Sequence, residues 1–141
     1  MHAGELSRDM PPGHYNALFV KDTTKLDKAK EDFLPAVEEA NKQGAFVQWN
    51  HPGWKAQQPD VTNWQPIMDE LIAKGWVHGI EVFNSSEWYP VALGWCMDKN
   101  LAPMANSDMH GIVMQQYDTL GGQRPMTLVF AQERTLDSLR E

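Results

Sequence analysis

A single cysteine, Cys96, stands in a chain of 141 residues. No disulfide can form within it, and the redox compartment is left open. Long apolar runs are missing as well, none approaching the roughly 20 residues needed to span a bilayer. The opening MHAGELSRDM also lacks the charged and apolar regions of a signal peptide. The expectation is a soluble chain, cytoplasmic by default, unless a signal lies in an absent amino-terminal part. Basic residues are few: 12 Lys and Arg against 19 Asp and Glu, a formal charge of -7, with no Lys/Arg cluster. That balance argues against a nucleic-acid surface built on bulk electrostatics. A small acidic substrate would still need local positive charge, which a metal ion can provide. The length fits one domain over residues 1–141 with a core of its own. It is short for a closed eight-stranded α/β barrel, which takes about 250 residues. Neither an internal repeat nor a low-complexity tract is present.

What the chain does have is a concentration of chemistry in Leu101 to Gly111, LAPMANSDMHG. Residues 102 to 106 read as a short apolar strand, whose alternation would project Asp108 and His110 together from its end. A carboxylate and an imidazole suit a borderline divalent cation such as Zn, Mn or Fe, and need further ligands from neighbouring strands. Glu5, His14 and His51 are candidates. Asp and His two apart also occur by chance, as a turn residue and a solvated loop residue. Taken alone the pair favours that plainer reading. Three more His or Glu residues beside strand-like runs raise it, because clustered strand ends are where α/β folds place their chemistry.

In chain order, Pro11, Pro12 and Gly13 punctuate a turn-rich entry, and His14 to Val20 alternates as a strand. Lys25 to Gln43 carries Leu26, Ala29, Phe33, Val37 and Ala40 at helical spacing, ending at Gly44. Pro35 either kinks this helix or sits in the first turn of a shorter one. Ala45 to Trp49 is strand-like and stops at the turn signal Asn50-His51-Pro52-Gly53. From Asn63 to Lys74, Trp64, Ile67, Met68, Leu71 and Ile72 make an amphipathic helix closed by Gly75. Gly79 to Phe83 is a strand, and Trp88 to Asp98 a helix burying Val91, Ala92 and Trp95. A looser stretch, Ile112 to Gln123, precedes a strand Met126 to Ala131 and a helix starting at Thr135.

Strands alternating with helices favour a parallel sheet, whose carboxyl ends collect ligands. His51 and the Asp108/His110 pair follow strands and would share that rim. His14 precedes its strand, so either that strand runs antiparallel or the loop before it folds across the rim.

The segments GELSRDMPPGHYNALF, QGAFVQWNHPGW, GIEVFN, NSDMHG and RPMTLVFAQERTLDSLRE, in that order, resemble the later motifs of the PHP (polymerase and histidinol phosphatase) superfamily. The resemblance is nearest to PHP-type phosphodiesterases of bacteria and covers nearly the whole chain. It implies an α/β fold belonging to a distorted barrel of about seven βα units, of which about five strands with their helices are here. It also implies a cluster of up to three divalent metal ions that hydrolyses phosphoesters, so hydrolase activity on a small phosphorylated substrate. Matched motif by motif, Gly4-Glu5-Leu6 supplies a bridging glutamate, Gly13-His14 and His51-Pro52-Gly53 two ligands of one metal, and Ser107 to His110 the ligands Asp108 and His110. His110, with Asp108, could alternatively take a catalytic role beside the metal ions, protonating the leaving oxygen. The His-x-His motif that opens the family's domain, and its following Asp and His, have no match here. The amino-terminal βα units are therefore expected to be missing and the three-metal cluster incomplete. Self-association or a missing amino-terminal segment is then expected to cover the exposed edge.

Two readings of the chain stay open beside the enzyme: a non-catalytic remnant that binds one metal or none and serves as an interaction module, and a shortened reading frame. Asn50, Asn84 and Ser107 are positioned to fix ligand tautomers, although Asn84 more often would cap a strand-to-helix turn. Trp54 could wall a substrate pocket, yet one tryptophan of six is more often core. Arg134 could hold a phosphate by a bidentate pair, against its plainer role as a solvated residue, and Arg124 shares that ambiguity. Glu81, inside a strand, reads as paired in the interior rather than metal-ligating. His78 lies outside every motif.

Overall fold

The structure, a computed structural model, describes residues 1–9, 11–26, 32–112, 115, 117 and 124–140. Six strands and three α-helices are present among them: β1 (Ala3–Leu6), β2 (Tyr15–Leu18), α1 (Leu34–Lys42), β3 (Phe46–Trp49), α2 (Ile67–Ala73), β4 (Gly79–Asn84), β5 (Glu87–Trp88), α3 (Pro90–Lys99) and β6 (Ala102–Asn106). They form one sheet in the order β1-β2-β3-β4, with β6 along the other side of β4 and β5 on its carboxyl end. The sheet is open among the described residues, so the fold is mixed α/β and no closed barrel is formed.

The sheet is not purely parallel. β3, β4 and β6 run together, whereas β2 is antiparallel to both β1 and β3. Two reversals leave β1 pointing the same way as β3. The carboxyl ends of β1, β3, β4 and β6 therefore share one rim with the amino end of β2. Of the two explanations for His14, the reversed strand is the one found.

Helix boundaries follow local chemistry. Pro35 sits in the first turn of α1, where its missing N–H costs nothing, and the Asp32 carboxylate accepts from the Leu34 N–H at 2.9 Å. The helix is thus the shorter of the two alternatives; residues 27–31 lie outside the described set. Ala36, Val37 and Ala40 face the core, and Gly44 takes φ +77° to turn the chain out. α2 begins at Ile67 rather than Asn63, because Pro66 takes the flanking position at its start. Met68 and Leu71 are fully buried beneath it, and Gly75 follows at φ +67°. α3 buries Ala92 and Cys96, but Val91 is 42% exposed, so that expected core residue faces water.

Four further expectations are corrected. The turn-rich entry contains β1, which Gly4 and the short length of the strand conceal in the sequence. Trp88 belongs to β5, not to the following helix. No strand forms at 126–131 and no helix after Thr135. Residues 124–130 instead run beside β6, tied by the Thr127 hydroxyl, which accepts from the Ala105 N–H at 2.9 Å and donates to the Ala105 carbonyl at 3.0 Å. A backbone ladder needs a strand's own N–H groups; here a side chain takes their place, and Leu128, Val129 and Phe130 stay exposed. Most of Ile112 to Gln123 lies outside the described residues. No described helix is long and apolar enough to cross a membrane.

The core joins the helices to the sheet. Trp49, wholly buried, stacks on Trp95 with ring centres 5.8 Å apart, and Trp64 meets both edge-on. The Trp49 indole N–H donates to the Pro12 carbonyl at 2.6 Å, which anchors the loop carrying Gly13 and His14 against the end of β3.

Candidate metal centre

Glu5, His14 and His51 converge on the rim. Register brings this about: Glu5 lies opposite Asn16 and Leu6 opposite Tyr15 across β1 and β2, and Tyr15 lies opposite Trp49 across β2 and β3. His14 and Asn50 thus sit one step beyond paired residues, and the Asn50 N–H donates to the His14 carbonyl at 2.9 Å. One ligand atom from each of Glu5, His14 and His51 falls within 4.8 Å of the others. Glu5 Oε1 and His14 Nδ1 are 2.9 Å apart, and the His14 and His51 rings meet edge-on at 4.8 Å.

Glycines make these approaches possible. Gly13 adopts φ +94°, and a Cβ there would fall on the Gln57 amide, which is itself held by the Arg8 carbonyl. In the His-Pro-Gly turn, a Cβ on Gly53 would lie 2.5 Å from Thr62 Oγ1 and 2.7 Å from the Tyr89 ring. His51 itself has φ +27° and Asp108 φ +48°. Phe19, Ser85 and Asn100, none of them a candidate ligand, also have positive φ.

The electrostatics suit a cation. The Glu5 carboxyl is held below its ordinary value chiefly by the hydrogen bond from His14, against the opposing effect of burial. Burial, then the neighbouring His14, pushes the His51 imidazole down, so it is neutral at neutral pH. His51 Nδ1 is buried without a hydrogen-bond partner among the described residues. A neutral imidazole with an unpartnered buried nitrogen, next to an ionised carboxylate, is the donor set that a divalent ion would satisfy.

The other expected residues are placed as follows. Asp108 Oδ1 and His110 Nε2 lie 3.1 Å apart. They meet through the loop rather than by strand alternation, since β6 stops at Asn106 and Asp108 is left-handed. His110 is exposed, and neither residue falls within the three-ligand group. The two sets are linked through Glu81, which is 1% exposed. Its carboxylate accepts from the His51 backbone N–H, from Asn84 Nδ2 at 3.1 Å and from Asn106 Nδ2 at 2.7 Å, and Asn84 Nδ2 lies 3.4 Å from Asp108 Oδ2. Burial raises the Glu81 carboxyl to about 7, with these three donors opposing. Asn84 thus bonds between carboxylates instead of capping a turn. Asn50 accepts from Gln48 at 2.8 Å and also bonds Glu5. The Ser107 carbonyl accepts from the Tyr117 hydroxyl at 2.6 Å.

Trp54 covers the group, with ring centres 5.5 Å from His14 and 5.3 Å from His51, and is 40% exposed. Arg134 is exposed in the final turns and bonds no described residue. Arg124, with Ser85, Ser86 and Trp88, lines an open cavity of about 640 Å³ beside the β4–β5 turn. His78 is structural: its Nδ1 accepts from the Val47 N–H at 3.0 Å. Asn106 was not singled out by sequence reasoning; its only signal is an amide at the end of an otherwise apolar strand.

A rim-bound Glu-His-His group on a mixed α/β sheet defines a protein equipped to hold a divalent metal. A particular solved structure shares this architecture: the crystal structure of a two-domain protein from Bacteroides vulgatus containing a predicted PHP-like metal-dependent phosphoesterase. It matches with a TM-score of 0.91 and 47% sequence identity, over 98% of this chain and 40% of that one. The PHP resemblance of the five motifs is shown by this neighbour, of whose length the chain spans two fifths. No family model and no curated protein matches the chain.

Proposed function

We propose that the chain forms part of a metal-dependent phosphoesterase that hydrolyses a small phosphorylated substrate with water. The convergence of Glu5, His14 and His51, with a buried unpartnered nitrogen on His51, carries this reading. A divalent ion held there would supply Lewis acidity, making hydroxide available near neutral pH and neutralising charge on a phosphate oxygen. The two-imidazole, one-carboxylate donor set favours Zn, Mn or Fe over Mg or Ca. Asp108 and His110 would hold further ions or, in the case of His110, deliver a proton to the leaving oxygen. Trp54 would wall the substrate against the two histidines, and Arg134 would contact phosphate from the carboxyl-terminal segment. Asn50, Asn84 and Ser107 would brace the ligands. The open sheet is read as an arc of the distorted barrel that the resemblance implies.

A second reading, an interaction module that binds metal without turnover, draws on the exposed run Leu128 to Phe130, which a second copy or another segment would cover. One experiment separates the two. The metal-free chain is titrated with Mn and Zn by calorimetry, then assayed on aryl phosphate monoesters and diesters, with His14→Ala alongside. Tight binding with turnover, both lost in His14→Ala, supports the enzyme. Binding without turnover supports the module, and no specific binding refutes the metal centre.

A further inference from the structure

We propose that Glu81 is a positioning residue for the metal centre, its carboxylate fixing the His51 backbone and, through Asn84 and Asn106, the loop that carries Asp108. The inference rests on the metal-binding reading above and assigns a role to a residue outside the ligand set. Glu81 is on β4, between β3 and β6, and is buried to 1% exposure. A carboxylate taken so far from water needs donors, and this one has three from three different elements: the His51 backbone N–H after β3, Asn84 at the end of β4 and Asn106 at the end of β6.

Both oxygens are thereby engaged, Oε1 by Asn106 and Oε2 by His51 and Asn84, so Glu81 is not placed as a ligand. It acts on the peptide of His51 and not on the ring. That peptide sits at φ +27°, a conformation that a non-glycine residue keeps only where its surroundings impose it. Residue type follows from the donors. In its ionised form the carboxylate accepts from all three, whereas glutamine at 81 would turn an NH₂ group towards at least one of them, so that an asparagine amide must flip or move away. Asn84 extends the same constraint to Asp108, 3.4 Å from its amide. One buried side chain therefore ties together the two sets of candidate ligands.

Cobalt(II) serves as the probe, because its visible absorption reports ligand geometry independently of turnover. The 141-residue chain, Glu81→Gln and a His51→Ala control are titrated with Co(II), and folding of each is checked by circular dichroism. Folded Glu81→Gln is expected to bind Co(II) about 10- to 100-fold more weakly than wild type, with altered visible bands. A folded Glu81→Gln with wild-type affinity and spectrum overturns the inference and leaves the metal centre standing. Wild-type chain that binds no Co(II) in a His51-dependent way overturns both. If Glu81→Gln does not fold, the His51 amide proton of the wild-type chain decides by NMR. A downfield, exchange-protected resonance is expected from its bond to a buried carboxylate, and an ordinary, rapidly exchanging one overturns the inference.

Discussion

Replacing His51 and His78 by alanine, one at a time, separates a metal ligand from a structural histidine in the same sheet. His51 contributes a neutral ring with a buried free nitrogen, and without it the group is reduced to Glu5 and His14, a pair 2.9 Å apart. Loss of a residue that merely orients a ligand weakens metal binding about 10- to 100-fold, so loss of the ligand itself is set at about 100-fold or more. With the ion at about 100 times the wild-type Kd, binding stabilises the fold by about 2.7 kcal/mol, and a site 100-fold weaker keeps about 0.4 kcal/mol. At about 4 °C per kcal/mol, metal should raise the wild-type Tm by roughly 10 °C and that of His51→Ala by roughly 2 °C. His78→Ala behaves in the opposite way. It strands the Val47 N–H and lowers metal-free stability by about 1–3 kcal/mol, yet it keeps the full increment from metal. Thermal unfolding of the three proteins with and without Zn or Mn makes the comparison. Equal shrinkage of the increment in both variants would refute the assignment of His51.

Gly53→Ala should cost about 1–3 kcal/mol by crowding Thr62 and Tyr89; urea unfolding that finds the variant unchanged would contradict the packing of the His-Pro-Gly turn. Leu71→Ala, beneath α2 at 0% exposure, should lose about 2–5 kcal/mol in the same assay, and a smaller loss would mean that α2 is not seated on the sheet. Burial lowers the His78 pKa below its ordinary 6.5, so the folded chain resists a proton that the unfolded chain takes. The stability His78 confers is therefore complete above about 6.5 and is lost as pH falls from there through the lowered value. The metal-free chain should accordingly show a shallower loss of stability on acidification in His78→Leu than in wild type, measured by denaturant midpoints between about pH 7 and 5.

The elements that the sequence announced are those with their own periodicity or punctuation. Met68 and Leu71 with Gly75 mark α2, and the apolar run before Asn106 marks β6 to the residue. Elements defined by a partner were harder to read. β1 and β5 are short and owe their existence to β2 and to the end of β4, while Met126 to Ala131 is apolar like a strand yet, among the described residues, is bonded to the neighbouring edge through the Thr127 hydroxyl. Glu5, His14 and His51 were legible as types beside strand ends. Their convergence depends on the reversal of β2, which no local pattern encodes. Asp108 and His110 come together as expected but by a left-handed turn, a geometry that residue spacing does not carry. The Glu81 network was half visible: a carboxylate inside an apolar strand must have partners, but Asn106 and the His51 peptide become those partners only once β3, β4 and β6 lie side by side.

The reversal of β2 also bears on how the centre comes into being as the chain folds. Glu5 and His14 lie nine positions apart in sequence and meet across one antiparallel pair, a short loop whose closure entropy is small. His51 joins only after α1 has crossed over, and the Asp108 loop only after α2, β4 and α3 are in place. Contacts between near neighbours in sequence form faster than those that must close long loops. Two of the candidate ligands, Glu5 and His14, are thus local and the others topological, so the first two side chains meet early and the later crossovers enclose them.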